Sequence, residues 1–173
     1  MSAPVIQTER LTLRAHRLDD YAACRAMWAD PNVVRYIGGT PSSAQQTWMR
    51  MLNYTGHWSL MGFGYWLIEE TQSGLFVGEA GFADFKRGLH PSMEGVPEIG
   101  WALASEMHGR GFATEAVRAV VAWSDRTRDW PRTVCMVNED NAASLRVAQK
   151  CGYAQYDRIE HNGSRLVLFE RLR

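Results

Sequence analysis

A chain of 173 residues that is 46% hydrophobic has material for one domain of ordinary size with a substantial core, and seven tryptophans add bulky surface with a polar handle. Nineteen basic residues balance nineteen acidic ones, so the chain lacks the long-range field of a nucleic-acid binder, and no direct nucleic-acid partner is expected. Residues 1–8 carry no basic start followed by an apolar run, no stretch approaches the roughly 20 apolar residues that span a bilayer, and the three cysteines (Cys24, Cys135, Cys151) lie far apart without a C-x-x-C pair. These features argue against a membrane partner, a disulfide framework and a zinc site, and for a cytoplasmic location.

Leu11, Leu13 and Ala15 alternate with Thr12, Arg14 and His16, the period of a half-buried strand. Asp19 and Asp20 open a short helix whose Tyr21, Cys24, Met27 and Trp28 share a face, and Pro31 stops its continuation. After Gly38-Gly39, Pro41-Ser42 starts a second helix carrying Trp48, Met49 and Leu52. Strand-like runs at 65–69 and 75–82 are split by a hairpin turn at Gln72-Ser73-Gly74. A polar loop, 86–97, leads into a strand at 98–103, and a helix runs from about Thr114 to Arg126 with Ala113, Val117, Val120 and Val121 on one side. A β-branched strand at 133–137, a helix at 141–150 ended by Gly152, and strands at 154–160 and 166–169 around Asn162-Gly163 complete the chain. The order β-α-α-β-β-β-α-β-α-β-β implies an α/β fold with a mixed sheet and helices on both faces. No repeat, low-complexity stretch or linker divides residues 1–173, which read as a single domain.

The segment that carries chemistry is His108-Gly109-Arg110-Gly111-Phe112-Ala113-Thr114-Glu115-Ala116, between a strand and a helix. Small residues let the backbone approach a ligand closely, and a helix start offers unpaired N–H groups and a favourable dipole for a pyrophosphate. Arg110 would add a charge-assisted contact. A tight turn that merely needs positive φ is the plain alternative. The segment is not a P-loop, because no Gly-Lys-Ser/Thr follows, and Thr114 stands where a dinucleotide fingerprint has its third glycine. Further on, the strand at 133–137 leads to Asn138-Glu139-Asp140-Asn141-Ala142-Ala143-Ser144 and then Lys150-Cys151-Gly152-Tyr153. Asp140 or Asn141 can simply cap the helix, which puts Ser144 one turn in, near the mouth between two strands.

Taken together, these residues resemble the GNAT superfamily of acetyl-coenzyme-A-dependent N-acetyltransferases, in its RimJ/RimL-like branch of ribosomal-protein acetyltransferases. The resemblance covers nearly the whole chain. It runs through Thr8-Glu9-Arg10-Leu11-Thr12-Leu13-Arg14, Asp30-Pro31-Asn32-Val33-Val34-Arg35-Tyr36, Gly78-Glu79-Ala80-Gly81, Glu98-Ile99-Gly100-Trp101, the 108–116 turn, Asn141-x-x-Ser144 and Lys150-Cys151-Gly152-Tyr153. The family's turn reads Gln/Arg-x-x-Gly-x-Gly/Ala; Gly111 and Ala113 match it, and His108 stands in for the usual first residue.

The resemblance implies the GNAT fold and acetyl-coenzyme A as co-substrate, with no metal. Backbone N–H groups from Gly109 through Arg110, Gly111, Phe112 and Ala113 to Thr114 would hold the pyrophosphate, with only a side-chain contact in doubt at His108. The thioester would sit where strands 98–103 and 133–137 splay apart. Backbone groups of Trp101, Ala102 and Leu103 would pair with the pantetheine arm and polarise the carbonyl. Asn141 would bond that arm, and Ser144 would lie near the sulfur.

The amine must be neutral to attack. An α-amine, with a pKa of about 7.7–8.0, needs far less help than a lysine at about 10.4. Glu98 is the candidate base, acting through a water, with a surface carboxylate or cross-strand pair as the plain alternative. Many superfamily members use a tyrosine seven residues after the Asn141 position, where this chain has Ala148. Ser144 is therefore the candidate catalytic partner of Glu98, orienting the thiolate or relaying its proton through water. Cys135 reads as a buried apolar thiol, and His57, His90 and His161 as ordinary polar residues.

For the acceptor, Tyr36, Trp48, Trp58 and Trp66 are candidate wall residues, each more readily read as core. Glu94 and Asp84 could attract a cationic amine, or simply be solvated loop charges. The acceptor is expected to be an amine: a protein N-terminus, or a small amine, amino acid or antibiotic. A non-catalytic acyl-coenzyme-A sensor is the alternative of another class. Homodimers are common in this branch.

Overall fold

The computed structural model describes residues 2–173. The elements are β1 (Ile6–Gln7), β2 (Leu11–Arg14), α1 (Tyr21–Ala29), α2 (Pro31–Val34), α3 (Ala44–Met61), β3 (Tyr65–Glu70), β4 (Phe76–Ala83), β5 (Glu98–Leu103), α4 (Phe112–Thr127), β6 (Arg132–Asn138), α5 (Ala142–Lys150), β7 (Ala154–His161) and β8 (Ser164–Leu172). Short 3-10 turns stand at Leu18–Asp20 and Ser105–Met107. The expected α/β architecture is present, with five helices and an eight-stranded mixed sheet in the order β1-β2-β3-β4-β5-β6-β8-β7. No helix among the described residues is long and apolar enough to cross a membrane.

Three local differences from the sequence expectation have plain causes. A two-residue strand, β1, adds to the edge of β2, too short for a period of two to reveal it. Pro31 ends α1 but also opens α2, standing at the first helical position, where its missing N–H leaves no bond unmade. Helix α3 starts at Ala44 rather than at Pro41-Ser42, because Ser43 and Gln46 form a reciprocal capping box: Ser43 Oγ accepts from the Gln46 N–H at 3.1 Å, and Gln46 Oε1 from the Ser43 N–H at 2.8 Å.

Strand β3 shows how the two faces are filled. Leu67 packs with Cys24 of α1 and Met51 of α3, while its neighbour Trp66 points the other way. Trp66 meets Trp123 of α4 edge to face, with centroids 4.9 Å apart, and Trp58 of α3 at 4.6 Å. Each indole finds an acceptor: Trp66 Nε1 donates to the Pro4 carbonyl at 2.7 Å and Trp58 Nε1 to the Tyr65 carbonyl at 2.9 Å. Trp58 and Trp66 are core, not acceptor wall. Trp48 is also excluded from that role, lying on the outer face of α3 edge-on to Tyr21.

One carboxylate is fully buried. Glu79 of β4 accepts from His16 Nε2 at 2.9 Å and from Trp28 Nε1 at 2.8 Å, tying the chain after β2 and helix α1 to the middle of the sheet. Removing it would strand two buried donors, each costing about 1–3 kcal/mol. Glu79→Ala is therefore expected to lower unfolding free energy by about 2–5 kcal/mol, read from the urea midpoint at unchanged m-value. A shift of the midpoint within error would show that the pair of hydrogen bonds carries no net stability.

Candidate active site

All neighbouring strands pair antiparallel except β5 and β6, which run parallel and share a single register pair, Glu98 with Val134. One further bond, from the Val134 N–H to the Pro97 carbonyl at 3.0 Å, closes that end. Beyond it the two strands diverge, as expected, and the β6-facing edge of β5 past Glu98 has no strand partner. Backbone N–H and C=O groups on such an edge need partners from elsewhere.

Two cavities meet at this divergence. The first, of about 370 Å³, is bounded by Asn32, Val33, Tyr36 and Ile37 on one side and Ala143, Ser144, Arg146, Val147 and Lys150 of α5 on the other. Its floor brings together Trp101, Ala102, Leu103, His108, Gly109, Gly111, Phe112, Ala113, Thr114 and Asn141. The second, of about 410 Å³, lies across β5 and is lined by Glu98 with Trp28, Arg50, Tyr54, Tyr65, Phe85, Arg87, Met136 and the β7–β8 hairpin. Tyr36, Ile37, Trp101, Ala102, Asn141 and Ser144 border both cavities.

The turn into α4 leaves backbone donors without a side-chain cap. Gly111 sits at its N-cap with φ of 80° and supplies no side chain to cap the helix, so the first N–H groups of a 16-residue helix have no side-chain cap. The helix dipole adds to their pull on negative charge. His108 pins the turn to β5, its Nε2 donating to the Leu103 carbonyl at 2.9 Å. Arg110 departs from expectation: its guanidinium turns out of the cavity to pair with Glu70 at 2.7 Å and packs over the Phe112 ring. The positive side chains that do border the cavity are Arg146 and Lys150, four residues apart on one face of α5. Sequence reasoning missed them, although that spacing was the signal.

Asn141 behaves as the helix cap that its position allowed, its Oδ1 accepting from the Ser144 N–H at 3.1 Å. Its amide N–H₂ remains able to donate. Ser144 sits one turn along, at the border of the two cavities. Ala148 is fully buried in the core, leaving no hydroxyl at that place. The tyrosine hydroxyls near the site come from elsewhere: Tyr36 after α2, Tyr54 from α3 and Tyr65 from β3.

Glu98 is buried and held by both oxygens, Oε2 by Arg87 Nε at 2.9 Å and Oε1 by Arg87 Nη2 at 3.0 Å. This fork-to-fork pair fixes its orientation. Tyr65 lies alongside; burial, then the Glu98 charge, pushes its phenol well above the usual range, so it stays protonated. The Tyr65 hydroxyl occupies the space that a Cβ would take at Gly100, so only glycine lets it reach the β5 backbone.

The other candidates lie elsewhere. Asp84 pairs with Lys86, and with Glu94 lines a small separate crevice. Cys135 is buried, and burial raises its thiol well above the ordinary value, as a core thiol requires. His161, expected to be an ordinary polar residue, borders the second cavity because the β7–β8 hairpin folds over it. His16, Cys24 and Glu79 cluster within 4.8 Å. Glu79 is already engaged by His16 and Trp28, and burial raises the Cys24 thiol, which favours its protonated, non-ligating form.

Residues 10–154 match the model of the family described as "Acetyltransferase (GNAT) domain". The chain belongs to the GNAT acetyltransferase family. A GNAT-family acetyltransferase from Bordetella pertussis is 31% identical, covers 98% of this chain and 99% of its own, and superposes with a TM-score of 0.86. The N-acetyltransferase p20 of Bacillus licheniformis is 28% identical over 152 residues, 86% of this chain and 81% of that protein. Solved structures at 17–18% identity, with TM-scores of 0.74–0.77 and at least 94% coverage, share the fold. They include a ribosomal L7/L12 α-N-protein acetyltransferase, an aminoglycoside acetyltransferase and the spermidine N-acetyltransferase of Vibrio cholerae.

The wall formed by α2 depends on Asp30. Its Oδ2 accepts from Ser105 Oγ at 2.5 Å and its Oδ1 from the Asn32 N–H at 2.8 Å, and these bonds, the serine's first, hold its carboxyl below the usual range. A depressed carboxylate contributes its anchoring fully above the ordinary value of about 3.9 and loses it as pH falls through the lowered one. Amide exchange at Val33 and Val34, corrected for intrinsic rate, is expected to rise in wild type only below that range. Asp30→Ala should show the faster exchange already at neutral pH. Equal protection in the two proteins would mean the carboxylate does not anchor this wall.

Proposed function

We propose that this protein transfers the acetyl group of acetyl-coenzyme A to a primary amine by direct attack, with the coenzyme in the cavity at the start of α4 and the amine in the cavity beside Glu98. The observation that carries the reading is the meeting of these two cavities at the β5–β6 divergence. The uncapped α4 terminus suits the pyrophosphate. The free edge of β5 from Gly100 to Leu103 suits an amide-bearing arm, and Arg146 and Lys150 suit the coenzyme's remaining phosphate.

In the reaction the amine nitrogen attacks the thioester carbonyl carbon, a C–N bond forms, and the C–S bond breaks. A β5 backbone N–H stabilises the oxyanion. The ammonium proton leaves through a water toward Glu98, each of whose oxygens keeps a lone pair after bonding Arg87. Ser144 orients the departing sulfur and relays a proton to it. An α-amine, half neutral near pH 8, asks least of any base and is the best-matched acceptor class. That match, with the 108–116 turn and Asn141-x-x-Ser144, supports a place in the RimJ/RimL-like branch and a protein N-terminus among the acceptors to be tried. The three free, buried cysteines support a reducing, cytoplasmic setting.

Thiol release from acetyl-coenzyme A across a panel of α-amines, peptides and diamines tests the reading. Glu98→Gln is expected to lower kcat by about 100-fold, and Ser144→Ala by about tenfold, with coenzyme affinity retained in both. Coenzyme binding without release on the whole panel would leave a sensor instead. Variants matching wild type would remove Glu98 and Ser144 from the chemistry.

A further inference from the structure

The charged side chains that border the second cavity are Arg50, Arg87 and Glu98. Arg87 and Glu98 neutralise each other in their fork, whereas Arg50 has no ion-pair partner among the described residues. Its guanidinium carbon lies 3.8 Å from the centroid of the Trp28 ring, and its Nε is buried without a hydrogen-bond partner. The seat is firm. Trp28 donates from its far edge to Glu79, which enriches the indole face on which the cation rests. Glu79 lies behind that indole, fully buried, with its oxygens taken by His16 and Trp28, so it supports the charge without covering the guanidinium.

Next to Arg50, one helical turn along α3, Tyr54 stacks on Tyr65 with centroids 4.3 Å apart. Burial raises both phenols above the usual range, so they stay neutral hydrogen-bond donors. This end of the cavity therefore presents donors and one unbalanced positive charge, walled by aromatic rings from Tyr36, Phe85 and Trp101. A polycationic acceptor meets no free carboxylate here. A planar guanidinium that lines the cavity and whose terminal nitrogens bond no acceptor among the described residues is the complement of a carboxylate.

We infer that Arg50 is a specificity residue that receives the carboxylate of the acceptor, and that the acceptor is a small amino-carboxylate with an apolar body. The inference rests on the acetyltransferase reading and narrows its acceptor from primary amines at large to those bearing a nearby anion.

The test compares phenylalanine, its carboxamide, a C-terminally amidated tripeptide and spermidine, as kcat/KM in the coenzyme-release assay. The carboxamide keeps the amine and the apolar body and removes only the charge. Wild type is expected to prefer the acid over the carboxamide by at least about 30-fold, the scale of an unpaired buried charge. Arg50→Met should bring that ratio near one. Arg50→Lys, which keeps charge without the fork, should leave it intermediate. Equal use of acid and carboxamide by wild type, preference for spermidine or the amidated peptide, or an unchanged ratio in Arg50→Met would each overturn the inference while leaving the acetyltransferase reading intact. Release with no amine of any class would instead overturn that reading, and this inference with it.

Discussion

The structure turns on one rung of backbone pairing. Among the described residues, Glu98 and Val134 are the sole register pair of the only parallel neighbours in the sheet, and the two cavities of the candidate site meet just past the point where that pairing stops. A sheet interior rarely leaves backbone groups unmatched, because each buried orphan is costly. Here the cost is accepted along β5, and the edge it exposes faces a cavity rather than solvent-excluded core. β6 turns to β8 for its partners, with seven antiparallel register pairs, so the sheet stays continuous while its middle opens.

The same logic recurs at α4. A helix normally begins under a side chain that takes one of its free N–H groups, and α3 and α5 do, under Ser43 and Asn141. Helix α4 begins under Gly111, which provides none. The unmet donors of α4 and the unmet edge of β5 border one cavity, bridged by the His108–Leu103 hydrogen bond. Local under-satisfaction at two independent elements, converging on one space, is the physical signature of a ligand site.

Most of the fold was legible because periodicity and turn chemistry are local. Leu11 and Leu13 alternated with Thr12, although Arg14 is buried too and Ala15 falls beyond the strand; Gly152 ended α5, and Asn162-Gly163 took the positive φ values of 49° and 73° that a two-residue hairpin needs. The residues that line the first cavity were legible as one contiguous turn plus a strand end. What stayed hidden depends on partners distant in sequence. Nothing near Arg110 in the chain announces that Glu70, forty residues away, will take its charge. Nor does the neighbourhood of Glu98 show that Arg87 will close over both its oxygens, or that Arg50 will be left without a carboxylate. His161 looked incidental because its place beside the second cavity comes from where a hairpin folds, and Trp58 and Trp66 stayed wall candidates beside the favoured core reading because a sequence does not say which face of a sheet is closed.

Charge distribution gives the two halves of the site different work. On the proposed reading, the α4 side gathers positive potential from a helix terminus, Arg146 and Lys150 for a polyanionic co-substrate, largely through backbone groups that any sequence of small residues supplies. The β5 side gathers residues from eight separate elements and the connections between them, and the one carboxylate that lines it is already neutralised. A site so arranged works with a carboxylate already shared with Arg87. Its rate must come mainly from holding the amine against the thioester and from a fixed oxyanion donor, contributions that reward rigid walls. The stacked Tyr54–Tyr65 pair, the Tyr65 hydroxyl lodged over Gly100, and the Arg50–Trp28–Glu79 series are such walls. In the last of these the buried Glu79, which ties α1 to the sheet, also fixes the indole on which the Arg50 guanidinium rests.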